Sequence, residues 1–214
     1  MTHTVGTRQA QKEKTRRALL EAALVLLEDQ SLSSLGLREV TRAVGLAPTA
    51  FYRHFGSTEE LGVALVDEAL GSLHAMIGTT LAAAGGPDDR ITAAVDLIAG
   101  HVRRHPSHVR FLARERYGGV RPVREEIARQ LDTFAVEVGA ELARQPESAG
   151  WPQEDVLMLA GLYVEHMVVT AAAFLDTVPG GDGAPGTRSR EEVAELARRR
   201  LRLIRLGRRH WLEG

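Results

Sequence analysis

The chain has 214 residues, 44% of them hydrophobic and 26% charged, enough for one sizeable core or two small domains. It contains no cysteine, which excludes a disulfide framework, thiolate chemistry and cysteine-ligated zinc. The net charge of −1 excludes a non-specific polycation, but it is unevenly placed: residues 1–56 hold eight Lys and Arg against five Asp and Glu, and the remainder nets −4. A basic head on an acidic body suits a protein whose one end meets phosphate, although chance scatter of charge gives a difference of this size as well. The polar opening MTHTVGTRQAQKEKTRR leads into no signal-peptide apolar run. No apolar segment approaches the roughly 20 residues that span a bilayer, so a cytoplasmic protein is expected.

Taken in order, a first helix is predicted from about Arg8 to Glu28, with Ala18, Leu19, Ala22, Ala23, Leu26 and Leu27 as its apolar face. Lys12 and Arg16, four apart, can reach phosphates from the other side or form an ordinary solvated face. The arm ending at Arg8 reads either as a minor-groove contact or as a disordered end. The stretch LREVTRAVGLAPTAFYRHF, residues 37–55, organises the rest. Leu37, Val40 and Val44 form one helical stripe, and Gly45 can stop that helix and turn the chain. Pro48 fits the first turn of a second helix, on which Phe51 and Phe55 pack inward. The opposite surface carries Thr49, Ala50, Tyr52, Arg53 and His54. A helix-turn-helix sets such a face in the major groove, its first residues at base edges and its flanks on phosphate; the same spacing also fits a buried helical hairpin.

Ser57 followed three residues later by Glu60 is a capping-box pattern, opening a helix to about Ala83 whose N-terminus, with Ser57 and Thr58, offers N–H groups to a phosphate. Gly85-Gly86-Pro87 breaks the chain. A helix follows to about His105 with Ile91, Val95, Ile98 and Val102 inward, then a short one from Pro106, and a long one from about Pro122 to Arg144 burying Ile127, Leu131, Phe134 and Val138. Trp151-Pro152 opens the next, strongly apolar from Val156 to Leu175. Val178 to Ser189 is a low-complexity loop, and Ser189 with Glu192 caps a last helix to about Trp211. No stretch alternates like a strand. The expected fold is all-α, about nine helices, with a helix-turn-helix domain over residues 8–60 and a helical domain over residues 61–214, for which the family resemblance below implies ligand sensing and dimerisation.

Lys14 to Leu65 resembles the DNA-binding domain of the TetR family of bacterial regulators, most specifically in the run from Gly45 to Phe55 with its Phe-Tyr-x-His-Phe ending. The resemblance implies double-stranded operator DNA, palindromic, as a partner. It places Arg38 where the family often has a base-contacting residue. Thr58 stands where many members carry a phosphate-contacting lysine, so that contact does not carry over, and Gly36 replaces the usual Ser or Thr cap of the second helix, as a tolerable N-cap.

The resemblance also implies a homodimer paired through the last two long helices, whose apolar stripes are Val156, Leu159, Tyr163, Met167 and Phe174 on one and Val193, Leu196, Leu203, Ile204 and Trp211 on the other. The alternative is that these stripes close a monomeric core. Further similarity in RQAQKEKTRRALLEAA, ELGVALVDEA and RFLARERYGG is to regulators of unsaturated fatty acid synthesis, which implies a long-chain acyl thioester as effector. An acyl chain needs an apolar tunnel and a cationic mouth. Candidate walls are Phe111, Leu112, Phe134, Met158, Leu162, His166, Met167 and Phe174. Candidate mouth residues are Arg110, Arg114, Arg116 and Arg121, with Arg114-Glu115-Arg116 equally readable as a local ion pair.

Other readings are an unrelated drug-like or aromatic effector, and a helical dimeric interaction protein without specific DNA binding. His101, His105 and His108 are metal-ligand types, but Pro106 breaks the helix between them and no nearby carboxylate completes a set, so no metal is expected. No catalytic motif is present, and neither catalytic residues nor a cofactor is expected.

Overall fold

A computed structural model describes residues 3–81, 85–177 and 188–211. Among the described residues the chain forms nine α-helices and two 3-10 turns, with no strand. Contacts divide it into two units: residues 1–69 with 110–127, and residues 70–109 with 128–214. The sequence reading divides it once, near Glu60; here the chain passes between units three times.

In the first unit, α1 (His3–Leu26) includes Arg8, so the expected arm is helical there. Its Leu19 and Ala23 are buried, as are Leu27, Val40, Phe51, Phe55, Leu61 and Leu65 from the segments that follow. A 3-10 turn (Leu32–Ser34) leads to α2 (Leu37–Ala43), α3 (Pro48–Phe51) and the start of α4 (Thr58–Leu81). The unit is completed by the end of α6 (Pro106–Glu115) and the start of α7 (Arg121–Ala143).

Arg114 lies on α6 and donates to the carbonyls of Leu27 at 2.9 Å, Gln30 at 2.5 Å and Glu28 at 3.1 Å. A helix leaves its last four carbonyls without intrahelical partners, and the guanidinium supplies donors at that end of α1. The next residue, Glu115, is buried and accepts the Leu32 N–H at 2.9 Å. A Cβ on Gly118 would collide with that carboxylate, so glycine is needed there. Each of the four arginines expected at a cationic ligand mouth has a contact within this unit. Arg114 is spent on α1, Arg110 faces Glu28 at 3.7 Å, Arg121 pairs with Glu125 at 2.7 Å, and Arg116 lies 4.9 Å over the Tyr117 ring.

In the second unit, α5 (Pro87–Arg104) turns Ile91, Val95, Ile98 and Val102 into a cluster with Val109, with Phe174 of α8 (Gln153–Leu175), and with Val193, Ala194, Ala197 and Leu201 of α9 (Arg190–Arg209). A second cluster joins Val138 and Leu142 of α7 to Val156, Leu159 and Ala160 of α8. The end of α7 is closed by buried Arg208, which donates to the Leu142 carbonyl at 3.2 Å, to Gln145 at 2.9 Å and to Ser148 in the second 3-10 turn (Pro146–Ser148). Ser189 caps α9 as expected: its hydroxyl accepts the Glu192 N–H at 3.2 Å and its own N–H goes to the Glu192 carboxylate at 2.7 Å. The expected loop from Val178 falls mostly outside the described residues.

Helix α8 is apolar on nearly every side and is long and apolar enough to cross a membrane by length and composition, contrary to the sequence expectation. Its buried side, with Val156, Leu159, Ala160, Thr170 and Phe174, packs in the protomer. Met158, Leu162 and Val169 lie on the opposite side and are 46%, 51% and 50% exposed. The stripe chosen from sequence for dimerisation is therefore divided. Val156, Leu159, Phe174 and Val193 belong to the protomer's own core. Tyr163, Met167 and Ile204 pack half-buried against it, and Leu196 is half-buried on α9. Leu203, at 70% exposed, remains on the outer face with Leu206. Trp211 is half-exposed, but its indole N–H is bonded to Asp155 at 2.9 Å and its ring lies 6.1 Å from Trp151.

Candidate nucleic-acid interface

Gly45, with φ of 68°, occupies the left-handed region that a side chain disfavours. The Leu46 N–H returns to the Thr41 carbonyl at 2.9 Å and the Gly45 N–H to Arg42 at 3.1 Å. This pair of bonds is the Schellman pattern, and it ends α2 and aims the chain into α3. At the other end of α2, the Glu39 carboxylate accepts the Gly36 N–H at 3.2 Å. Gly36 has no side chain to answer, so only half of a capping box forms.

Helix α3 starts at Pro48 as expected but is regular only to Phe51, shorter than the sequence spacing implied. The Phe55 N–H still reaches the Phe51 carbonyl at 3.0 Å, which keeps the segment coiled for one more turn. Both phenylalanines are fully buried, with ring centroids 5.6 Å apart. That anchorage leaves Pro48, Thr49, Tyr52 and Arg53 exposed, Ala50 and His54 half-buried, and Tyr52 edge-on to Phe51 at 5.9 Å. Arg38 on α2 and Lys12 on α1 are exposed.

The His54 imidazole is held below its ordinary pKa by burial, then by Lys12, Arg16 and Arg53, with Glu13 acting weakly the other way. Lys12 of α1 and the α3 segment thus share one cationic patch. Arg16 has a role the sequence did not reveal. Its guanidinium donates to the His54 carbonyl at 3.2 Å and covers the Phe55 ring at 4.3 Å, tying the end of the α3 segment to α1. At the start of α4, the Ser57 hydroxyl accepts the Glu60 N–H at 3.2 Å, and the Glu60 carboxylate takes the Gly56 N–H at 2.6 Å. The Glu60 N–H, one of the donors at this helix N-terminus, is thus engaged by the chain itself, beside half-buried Ser57 and Thr58.

Residues 19–65 match the family model described as bacterial regulatory proteins, tetR family. The chain carries a TetR-type N-terminal domain. Solved structures with similar folds include a putative TetR-family transcriptional regulator from Syntrophomonas wolfei, 12% identical with a TM-score of 0.72 over 91% of this chain and 96% of that one. The FadR regulator of Bacillus subtilis, solved with stearoyl-CoA, is 11% identical with a TM-score of 0.65 over 88% of this chain and 96% of that one. AibR, solved with isovaleryl coenzyme A and operator DNA, is 15% identical with a TM-score of 0.62 over 86% and 95%.

Beyond the TetR-type domain, the candidate effector residues divide between the units: Phe111, Leu112, Arg114 and Arg116 in the first, Phe134, Met158, Leu162, His166, Met167 and Phe174 in the second. Phe111, Phe134 and Phe174 are buried core, and the Arg190 guanidinium sits 5.2 Å over Phe174. His166 Nε2 lies 3.3 Å from the Ala197 carbonyl, which fixes the tautomer that donates there. A hollow of about 30 Å³ lined by Val169, Thr170, Ala173, Leu196 and Ala197, with Arg188 and Arg200 at its margin, has room for water and not for an acyl chain.

The three histidines form a ladder of rings. His101 and His105 are 5.0 Å apart and His105 and His108 5.7 Å. Among the described residues no group of three His, Asp or Glu side chains is arranged to hold a metal. His101 is only 3% exposed, and burial, followed by His105, Arg104 and His108, lowers its pKa to about 4. The unfolded chain therefore takes up a proton near pH 6.5 that the folded chain refuses until about pH 4, so stability falls as pH falls through that window. Acidification from pH 8 to pH 5 should cost about 2 kcal/mol through this residue. Thermal melts of the wild type and His101→Leu across that range check it: the variant should lose that part of the pH dependence.

Proposed function

We propose that this chain is a homodimeric DNA-binding transcriptional regulator of the TetR type, a cytoplasmic repressor and not an enzyme. A small hydrophobic effector, a long-chain acyl thioester, would set its affinity for DNA. The observation that carries the DNA reading is the exposed Thr49, Tyr52 and Arg53, held rigidly by buried Phe51 and Phe55 beside Lys12 and His54. In this reading Pro48 starts the segment, Thr49, Ala50 and Arg38 approach base edges, Tyr52, His54 and Lys12 touch backbone phosphates, and Arg53 lines the groove wall. Arg16 acts from behind, through His54 and Phe55. Ser57 and Thr58, at the start of α4, border the same phosphates. The acyl ligand is supported by the fold similarity to FadR bound to stearoyl-CoA and AibR bound to isovaleryl coenzyme A. The dimer is supported by the apolar outer faces of α8 and α9.

This division of labour has a direct test. Tyr52→Phe should weaken binding to all sequences alike, by up to about tenfold for one phosphate contact, whereas Thr49 substitutions should change which sequence is preferred. Titrations on an operator and on scrambled DNA decide it: equal effects of both variants on both DNAs contradict the assignment. A second test uses His54. Its lowered pKa leaves it neutral in the free protein at pH 7, and an adjoining phosphate would raise that pKa. Binding then takes up a proton, so affinity should rise as pH falls from 8 to 6, and His54→Gln should flatten the profile.

A further inference from the structure

Burying an imidazole normally costs free energy unless both ring nitrogens are satisfied, because one donates and one accepts. In the second unit His101 is only 3% exposed, yet among the described residues neither Nδ1 nor Nε2 has a hydrogen-bond partner. Its sequence neighbours on the inner side of α5, Ile98 and Val102, are buried in an apolar cluster. From it the ring ladder runs through half-buried His105 across the bend at Pro106 to half-buried His108, a polar path leading away from a buried end. Among the described residues the groups acting electrostatically on His101 are His105, Arg104 and His108, all of them neutral or cationic and none of them acidic. An orphaned donor in such surroundings suits an oxygen acceptor and disfavours a cation.

We propose that His101 is the polar contact of an internal ligand site in the second unit, which takes the acyl oxygen of an apolar-chain ligand. Either a free carboxylate or a thioester carbonyl supplies that oxygen. This assignment rests on the acyl-effector reading above and names the residue that recognises the head of the chain.

The structural consequence separates a ligand contact from an ordinary core residue. A histidine with a hidden structural partner loses stability when it is replaced. A histidine held unpaired for a ligand gains stability when an apolar side chain of similar volume replaces it, and loses binding. Melts of the full-length wild type and His101→Leu at pH 7.5, with calorimetric titration of oleate and of oleoyl-CoA, test both. The expected result is a rise of about 2–4 °C in Tm for His101→Leu together with an affinity at least tenfold weaker for whichever probe the wild type binds. His101→Asn, which keeps an amide donor, should retain more of that affinity. A fall in Tm for His101→Leu, or equal affinity of variant and wild type, overturns the assignment and leaves the acyl reading intact. A wild type that binds neither probe overturns the acyl reading and this ligand class together.

Discussion

Leu203→Glu is expected to convert the proposed homodimer into monomers without unfolding the protomer. Leu203 is 70% exposed on α9, so the substitution disturbs little of the protomer's own packing. Other exposed apolar residues on these two helices are Leu206 on α9 and Met158, Leu162 and Val169 on α8. If those faces meet their copies about a two-fold axis, each carboxylate introduced has a second one across the axis. Desolvating unpaired carboxylates costs several kcal/mol each, enough to dissociate an interface of ordinary strength. Light scattering should give a mass near 23.3 kDa in place of about twice that, with the helical signal and melting behaviour of the protomer preserved. Affinity for a palindromic operator should fall at least a hundredfold, because two heads no longer bind as one body. A Leu203→Glu protein that remains dimeric would place the interface elsewhere.

Phe51→Ala is expected to have the converse effect. Phe51 is fully buried and meets both Phe55 and Tyr52 through its ring, and its carbonyl holds the Phe55 N–H. Truncation of a buried phenylalanine costs about 3–5 kcal/mol, a large share of the 5–15 kcal/mol that holds a typical domain folded. The loss falls on the short segment that presents Thr49 and Tyr52, where only four residues are regular helix. DNA binding should be abolished at 25 °C and a lower-temperature melting step should appear, while the mass in solution stays that of the wild type. Retained operator affinity in Phe51→Ala would show that the segment does not depend on this anchor.

Much of the architecture was legible because its signals are local. Gly45 as a helix stop, Pro48 as a helix start and Ser189 with Glu192 as a cap each act within five residues, and each holds. The inner stripe of α5 is equally plain, since polar residues flank it and one face alone is apolar. Non-local partners were not legible. Arg16 reaches a carbonyl 38 residues away, and Arg114 reaches three that are 84 to 87 residues away. A surface arginine and a helix-capping arginine look alike in sequence, so these partners of Arg16 and Arg114 left no signal there. On α8 the difficulty was different. A helix apolar on nearly every side carries no periodicity to tell its core face from its outer face, so Val156, Leu159 and Phe174, which the protomer buries, were expected at a dimer interface, whereas exposed Met158, Leu162 and Val169 were not. The orphaned nitrogens of His101 were invisible for the same reason: the sequence shows the residue and not its lack of partners.

The most direct test of the account is the affinity of the purified protein for the promoter DNA next to its own gene, measured with and without stearoyl-CoA and oleoyl-CoA. The account predicts selective, steeply salt-dependent binding that shifts at least tenfold, about 1.4 kcal/mol, on addition of an acyl thioester, with opposite responses to the saturated and unsaturated chains. Binding that ignores both chains would contradict the acyl-sensing claim and leave a regulator of another effector; no preference for that DNA over scrambled sequence would contradict the regulator itself.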